Sequence, residues 1–323
     1  MTTLPEWNLK DFYPSFESKL ISEDMNDVKK MATSFSKKYK NKLNILNSSL
    51  LVKSLSEYEK LEEKIVSLKS FAFLTYCTDQ LNKEKTKFFQ KVQEYLSEVE
   101  KKTIFYTIEL NKLKKNKSIF LEKSKYKSWI LNLNKIKKYQ KSETVETLLM
   151  EKSITSSSAW IKFFDQKMAR LKFDFRKKKI TETEILNLLS STDKNVRKDA
   201  ALSFGKTLKE NIFDFTFVMN NISKDLDIEK NLRGFKYSES SRHLSNQIDK
   251  KDIDSLVKIA TKNYKNICHR YYKYKAKHFD TIKLNYWDRN APYPKTKDRK
   301  INWNEAKKIV LDSYYGFDKK LGD

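Results

Sequence analysis

A chain of 323 residues with 39% apolar and 34% charged side chains and a formal net charge of +25 can bury a sizeable core beneath a heavily charged surface. It holds only four glycines and four prolines, where average usage gives about 39 of the two together in this length, so turns are few and elements long. Sandwiches, barrels and Rossmann-type sheets are nearly excluded, the 13% aromatic content argues against disorder, and the class is all-α.

The segment to about Pro14 holds two of the prolines and reads as an extended arm. A helix fits Asp24 to Tyr39. Tyr58, Leu61, Ile65, Leu68, Ala72 and Thr75 recur at intervals of three and four, the stripe of an amphipathic helix. After a polar break at Thr78 to Asn82, the same spacing returns in Val92, Leu96, Val99, Thr103, Tyr106, Leu110 and Leu113. Two such stripes predict a long antiparallel helical hairpin, ended by the lysine-rich run Lys112 to Lys117. Ser118 to Leu133 predicts a shorter aromatic helix and Lys135 to Lys141 a basic connector. Glu143 to Leu171 is helical, with a candidate break at the small, polar Ser153 to Ser158.

Thr181 and Glu184 have the spacing of a capping box for a short helix, Glu182 to Leu189. Asp193 is a good N-cap for the next helix, which carries Val196, Ala200 and Phe204 on one face. Phe213 to Leu232 is another helix, and Gly234 to Asn246, without periodicity, a loop. From Asp249 or Lys250 a long helix carries Ile253, Leu256, Ala260, Tyr264, Ile267, Tyr271 and Tyr274 on one face. Asn285 to Pro294 holds the other two prolines and is no helix interior. Asn302 with Glu305 caps a last helix to about Tyr315. No repeat, low-complexity tail or Gly/Ser linker interrupts the chain.

Gly205, Gly234, Gly316 and Gly322 lie too far apart to form a phosphate-cradling loop. Cys77 and Cys268 make neither a disulfide framework nor a CxxC site. The N-terminus has no basic region followed by an apolar stretch, and the apolar patch from Phe71 to Cys77 falls far short of the about 20 residues that span a bilayer. The expectation is a cytoplasmic protein with no membrane partner. The net charge invites a nucleic-acid reading, but it comes from eight arginines against 59 lysines. Arginine is preferred where phosphates and base edges are gripped, so the lysines read as a solvated surface and nucleic acid is not the expected partner.

No active site assembles from spacing alone. His243, His269 and His278 are separated by gaps of 26 and 9 residues, whereas a helical zinc site needs two histidines four residues apart with a glutamate between them. Cys268 and His269 are adjacent, but helix neighbours do not face each other, and Cys268 reads as ordinary packing. Glu62, Glu63, Glu98 and Glu100 sit among lysines and read as ion pairs on a wet face. No catalytic or metal-binding residue is assigned, and the substrate-binding residues stay unassigned.

Order and identity of short segments carry more. Leu4-Pro5-Glu6-Trp7-Asn8-Leu9-Lys10-Asp11-Phe12-Tyr13-Pro14-Ser15 resembles the N-terminal signature of oligoendopeptidase F, a bacterial zinc endopeptidase related to thimet oligopeptidase. Trp160, Phe163, Phe164 and Leu171-Lys172-Phe173 resemble the family's next stretch. Further matches are Asp193 with Arg197 and Ala200, Asn220 to Asp225, and Arg233-Gly234-Phe235. His269-Arg270-Tyr271-Tyr272 with Lys275-Ala276-Lys277 matches a later helix. Tyr286-Trp287-Asp288-Arg289-Asn290-Ala291-Pro292 matches a strand-like segment, and Glu305-Ala306 begins the next helix. The resemblance covers essentially the whole chain in order.

The resemblance implies metal-assisted hydrolysis of internal bonds in short peptides. The family's zinc is held by an HExxH helix and a downstream glutamate, and a tyrosine or histidine supports the oxyanion. None of these maps onto this sequence, so no catalytic residue is carried over. The expectation is an N-terminal portion, truncated before the HExxH, that binds no zinc and cuts nothing by itself. Its expected divisions are residues 1–112 (arm and hairpin), 113–185 (the family's N-terminal helical module) and 186–323 (the helical start of the catalytic domain). Zinc is expected only for the full-length parent, and the partner is an oligopeptide. The alternatives are half of a split peptidase completed by a separate catalytic chain, and a non-enzymatic basic helical protein that binds acidic partners or RNA. Faces meant for the missing half predict an apolar patch after Asp249.

Overall fold

A computed structural model describes residues 5–294 and 301–323. Helix α1 (Lys19–Tyr39) starts earlier than its apolar periodicity, because the Ser18 side chain accepts the Leu20 amide and caps it. Ile21, Met25, Val28, Ala32, Phe35 and Tyr39 fall on its buried face. Asn47 likewise caps α2 (Ser48–Thr78), whose 31 residues extend about 46 Å at the helical rise. The chain reverses at 79–82 into α3 (Lys83–Glu100), completing the expected hairpin. Helices α1, α2 and α3 close over one core, in which Val28, Ala32, Ile65, Ala72 and Leu96 are sealed from water.

The second stripe is not one helix. It breaks at 101–103 and resumes as α4 (Ile104–Leu110). The Thr103 hydroxyl donates to the Glu100 carbonyl at 3.0 Å, the local bond by which threonine competes with a helix interior. The bend swings Phe105 and Tyr106 into a second core with Phe35, Tyr39, Leu51 and Leu55. Phe35 and Tyr106 meet edge to face there, centroids 4.9 Å apart. The helix expected over Ser118 to Leu133 is two, α5 (Lys115–Glu122) and α6 (Lys127–Ile136). Between them the Ser124 hydroxyl donates to the Leu121 carbonyl at 2.6 Å and helps end the first.

The break within Glu143 to Leu171 is present, between α7 (Glu143–Ser153) and α8 (Ser157–Arg170). An unexpected two-stranded hairpin follows. β1 (Phe173–Phe175) pairs antiparallel with β2 (Lys178–Ile180), Phe173 opposite Ile180. Its turn residues Arg176 and Lys177 have φ of 45° and 66°. Asn-Gly or Asp-Gly usually marks such a turn, so nothing in the sequence announced it. Phe173 joins Ile185 and Ala200 in a third core, under α9 (Glu182–Leu188) and α10 (Lys194–Glu210). The Thr181–Glu184 capping box and the Asp193 cap both form as expected.

Helix α11 (Ile212–Arg233) ends at Gly234, whose φ of 74° suits the left-handed residue after a helix. The expected loop beyond it contains a short helix, α12 (Ser240–Ser245). The long last stripe forms α13 (Lys250–Asn263), a π-turn at Lys265–His269, and α14 (Arg270–His278). Tyr286–Asp288 is a 3₁₀ turn rather than strand-like, because its amides close on Asn285 and Tyr286 instead of a neighbouring strand. Asn302 caps α15 (Trp303–Phe317) as expected, and α16 (Lys319–Gly322) follows.

Burial declines along the chain. Helix α11 is apolar on most of its circumference yet buries only Val218, and α13 and α15 bury no side chain among the described residues. Leu256 is 64% exposed, Ile267 63% and Phe317 85%. Apolar side chains are thus exposed after Asp249, and on α11 Phe213 and Met219 are exposed as well. No helix among the described residues is long and apolar enough to cross a membrane.

Candidate functional site

The most strongly built polar arrangement joins α10 to the turn at Tyr286–Asp288. Arg197 lies one turn into α10, placed there by the Asp193 cap. Its guanidinium donates to Asp288 Oδ1 from Nε at 3.2 Å and from Nη2 at 2.7 Å. Nη1 donates to the carbonyls of Ser191 and Thr192 at 2.8 and 3.0 Å. Asp288 also accepts from Asn285 Nδ2 at 3.3 Å. Both charges are almost wholly buried, which is tolerable only because nearly every donor is matched. Beside them the buried Lys275 of α14 donates to the Arg289 carbonyl at 2.8 Å. Two helices, α10 and α14, are thus pinned to one turn.

That pinned turn walls a cavity of about 920 Å³. Leu189, Ala201 and Phe204 line it from the side of α9 and α10, and Ile282, Leu284 and Trp287 from the clamped segment. The opposite wall is His269, Tyr272, Lys273 and Ala276, the spacing of one helical face. The π-turn sets that register, since the His269 amide donates to the Tyr264 carbonyl at 2.8 Å, five residues back. Such turns recur at functional sites. Trp287 Nε1 is buried and has no acceptor, a state that costs about 1–3 kcal/mol and requires an explanation.

A second polar clamp closes α11 onto α7. Arg233 Nη1 and Nη2 donate to the two carboxylate oxygens of Glu146 at 2.8 and 3.0 Å, and Nε to Glu229 at 2.6 Å. Burial pushes the Glu146 carboxyl upward, but the Arg233 hydrogen bonds outweigh it and hold the group below its ordinary value. Arg233 is thereby a structural clamp.

The histidines lie on separate elements. His243 is half-buried on α12, His269 ends the π-turn, and His278 sits between the rings of Tyr274 and Tyr293, centroids 4.7 and 5.2 Å away. Among the described residues no group of three His, Cys, Asp or Glu could hold a metal ion. Cys268 is exposed rather than packed. Glu100 pairs with Lys69 across the hairpin at 2.6 Å, and Glu98 pairs with Lys101. Glu62 departs from the wet-face reading: it is half-buried, and burial raises its carboxyl above the ordinary value.

Sequence reasoning missed the Arg197–Asp288 pair, although both residues stood in segments singled out for their resemblance. Their pairing across 91 positions has no local signal. Composition equally gave no hint of a cavity built around Ala201 and Ala276.

Residues 119–173, from α5 to β1, match the family model described as oligopeptidase F. Oligopeptidase PepF of Bacillus subtilis is 24% identical over 316 residues, which are 94% of this chain and 46% of that protein. Along nearly its whole length the chain is similar to oligoendopeptidase F proteins. The oligoendopeptidase F homolog of Borreliella burgdorferi is 24% identical over 314 residues, 95% of this chain and 52% of its own length. The crystal structure of oligoendopeptidase-F from Enterococcus faecium shares the fold, with a TM-score of 0.76 at 15% identity, over 92% of this chain and 62% of that one. The chain therefore spans about half the length of the curated oligopeptidase F relatives it matches.

Proposed function

We propose that this chain is the helical N-terminal portion of a zinc-dependent oligoendopeptidase that cleaves internal bonds of short peptides in the cytoplasm. The observation that carries the reading is the collinear match of nearly the whole chain to about half of two oligopeptidases. The uncovered apolar faces of α11, α13 and α15 support it, since a helix apolar on most sides belongs inside a larger fold.

The residues of this chain do not fit a catalytic zinc. The sequence has no HExxH, and no metal-holding group occurs among the described residues. We therefore route no catalytic step through this chain. Its part is to wall a cleft with rigid, packed helices. Residues 1–112 build the hairpin, 113–185 the module that contains the family match, and 186–323 the first part of the catalytic region.

The test compares the isolated chain with the protein recovered from its own cells by an antibody to the α2–α3 hairpin. Both are assayed on short quenched peptides with and without a chelator. Chelator-sensitive cleavage by the native protein and none by the isolated chain is the expected result. No cleavage by the native protein, or chelator-sensitive cleavage by the isolated chain, overturns the reading.

A further inference from the structure

We infer that the cavity beside Trp287 binds the apolar C-terminal end of a peptide through its free carboxylate. The inference rests on the peptide-handling reading above and names the end of the peptide that this chain holds.

The cavity is of the size that takes small ligands, roughly 300–1,000 Å³. Its volume comes from short side chains at the back: Ala201 and Ala276 are both buried, and both line it. The wall at 284–290 is fixed from beneath by Arg197 on Asp288 and by Lys275 on the Arg289 carbonyl. A wall held in place before the ligand arrives reduces the ordering cost of binding. Leu189, Phe204 and Leu284 give the interior its apolar surface.

The polar groups around that surface select the ligand's charge. Lys273, Lys283 and Arg289 line the cavity, and none of their side chains has an ion-pair or hydrogen-bond partner among the described residues. No carboxylate lines it among those residues. All three groups are donors only. The ligand that complements them brings acceptors and negative charge, and a carboxylate brings both. An ammonium or guanidinium would meet only donors. Asn290 and Tyr272, also in the lining, carry groups that can donate and accept. They match a peptide group better than an alkyl chain, which favours a peptide terminus over a fatty acid.

The test follows the Trp287 indole N–H in ¹H–¹⁵N spectra of the whole chain, its signal assigned by its loss in Trp287→Phe. The probes are N-acetyl-Ala-Ala-Phe with a free carboxylate, the same peptide as its C-terminal amide, and decanoate. The acid should shift the Trp287 signal saturably, and the amide should bind at least tenfold more weakly. Both Lys273 and Arg289 are exposed, so the double variant Lys273→Gln/Arg289→Gln should stay folded and bind the acid no better than the amide. No shift with any probe overturns the inference, as does equal binding of acid and amide. Binding of decanoate without the peptide assigns the cavity to aliphatic acids and overturns it too. Cleavage plays no part in the readout. An inactive chain that binds the acid upholds the inference, whereas lost binding alongside a cleaving native protein overturns it alone.

Discussion

Arg197 and Asp288 lie 91 residues apart and meet with Nη2 2.7 Å from Oδ1, sealed from water on both sides. Breaking a buried pair by removing one partner leaves an uncompensated charge and costs about 3–5 kcal/mol. Asp288→Ala should therefore lower the stability of the unit formed by α10 and α14, read by denaturant unfolding and by faster amide exchange there. The double variant Arg197→Met/Asp288→Leu should recover much of the loss, because it removes both charges. A single variant within experimental error of the parent would show that the pair does not hold the turn.

The Arg233–Glu146 clamp sets an acid dependence. Glu146 is held below its ordinary value in the fold, so its contribution is present above the unfolded carboxyl range. It is lost as the pH falls through the depressed folded value. Unfolding followed from neutral pH downward should show this loss at the α7–α11 junction. Glu146→Gln should be less stable at neutral pH and should show a shallower acid decline. An unchanged pH profile in that variant would contradict the assignment.

Glu62 carries the opposite sign. Burial raises its carboxyl above the ordinary value, so the fold favours the protonated form. Its contribution is present below the unfolded value and lost as the pH rises through the folded one. Glu62→Gln removes the charge and keeps the shape. The variant should melt a few degrees higher than the parent at neutral pH, and the gain should vanish in acid. A lower melting temperature at neutral pH would mean that the Tyr58–Glu62 contact outweighs desolvation.

The exposed stripe on α13 and the π-turn should make the isolated chain self-associate. Leu256 and Ile267 are 64% and 63% exposed, on a helix face that nothing covers among the described residues. Exposed substitutions stay within about 0.5 kcal/mol of neutral for stability, so Leu256→Glu/Ile267→Glu should fold normally. It should also reduce binding of an apolar dye and abolish concentration-dependent light scattering. Unchanged scattering would place the sticky surface elsewhere, with α11 the next candidate.

Much of this fold was legible because its signals are local. The caps at Thr181, Asp193 and Asn302 each act within three residues, and the stripes of α2 and α13 mark faces at fixed spacing. The breaks at Thr103 and Ser124 were not legible, because a single hydroxyl-to-carbonyl bond decides each and many serines and threonines make none. Cys268 was read as packed on its residue type, but its exposure depends on which elements pack over it, which residue type does not encode. The candidate site was least legible. Its cavity is a gap between distant small residues, and its clamp is a pairing across 91 positions.

The hairpin between Phe175 and Lys178 turns through two left-handed residues, Arg176 at φ 45° and Lys177 at φ 66°. Each such residue with a Cβ costs about 1–2 kcal/mol in extended left-handed structure, and two-residue hairpin turns favour Asn-Gly at these positions. Arg176 also stands near Asp199, 3.9 Å from it, with both side chains more than half exposed, so losing that pair forfeits little. Arg176→Asn/Lys177→Gly should therefore stabilise the third core by about 1 kcal/mol, seen as a higher denaturant midpoint with an unchanged slope. A lower midpoint would show that the Arg176 guanidinium over the Phe175 ring, 5.3 Å from its centroid, outweighs the backbone strain.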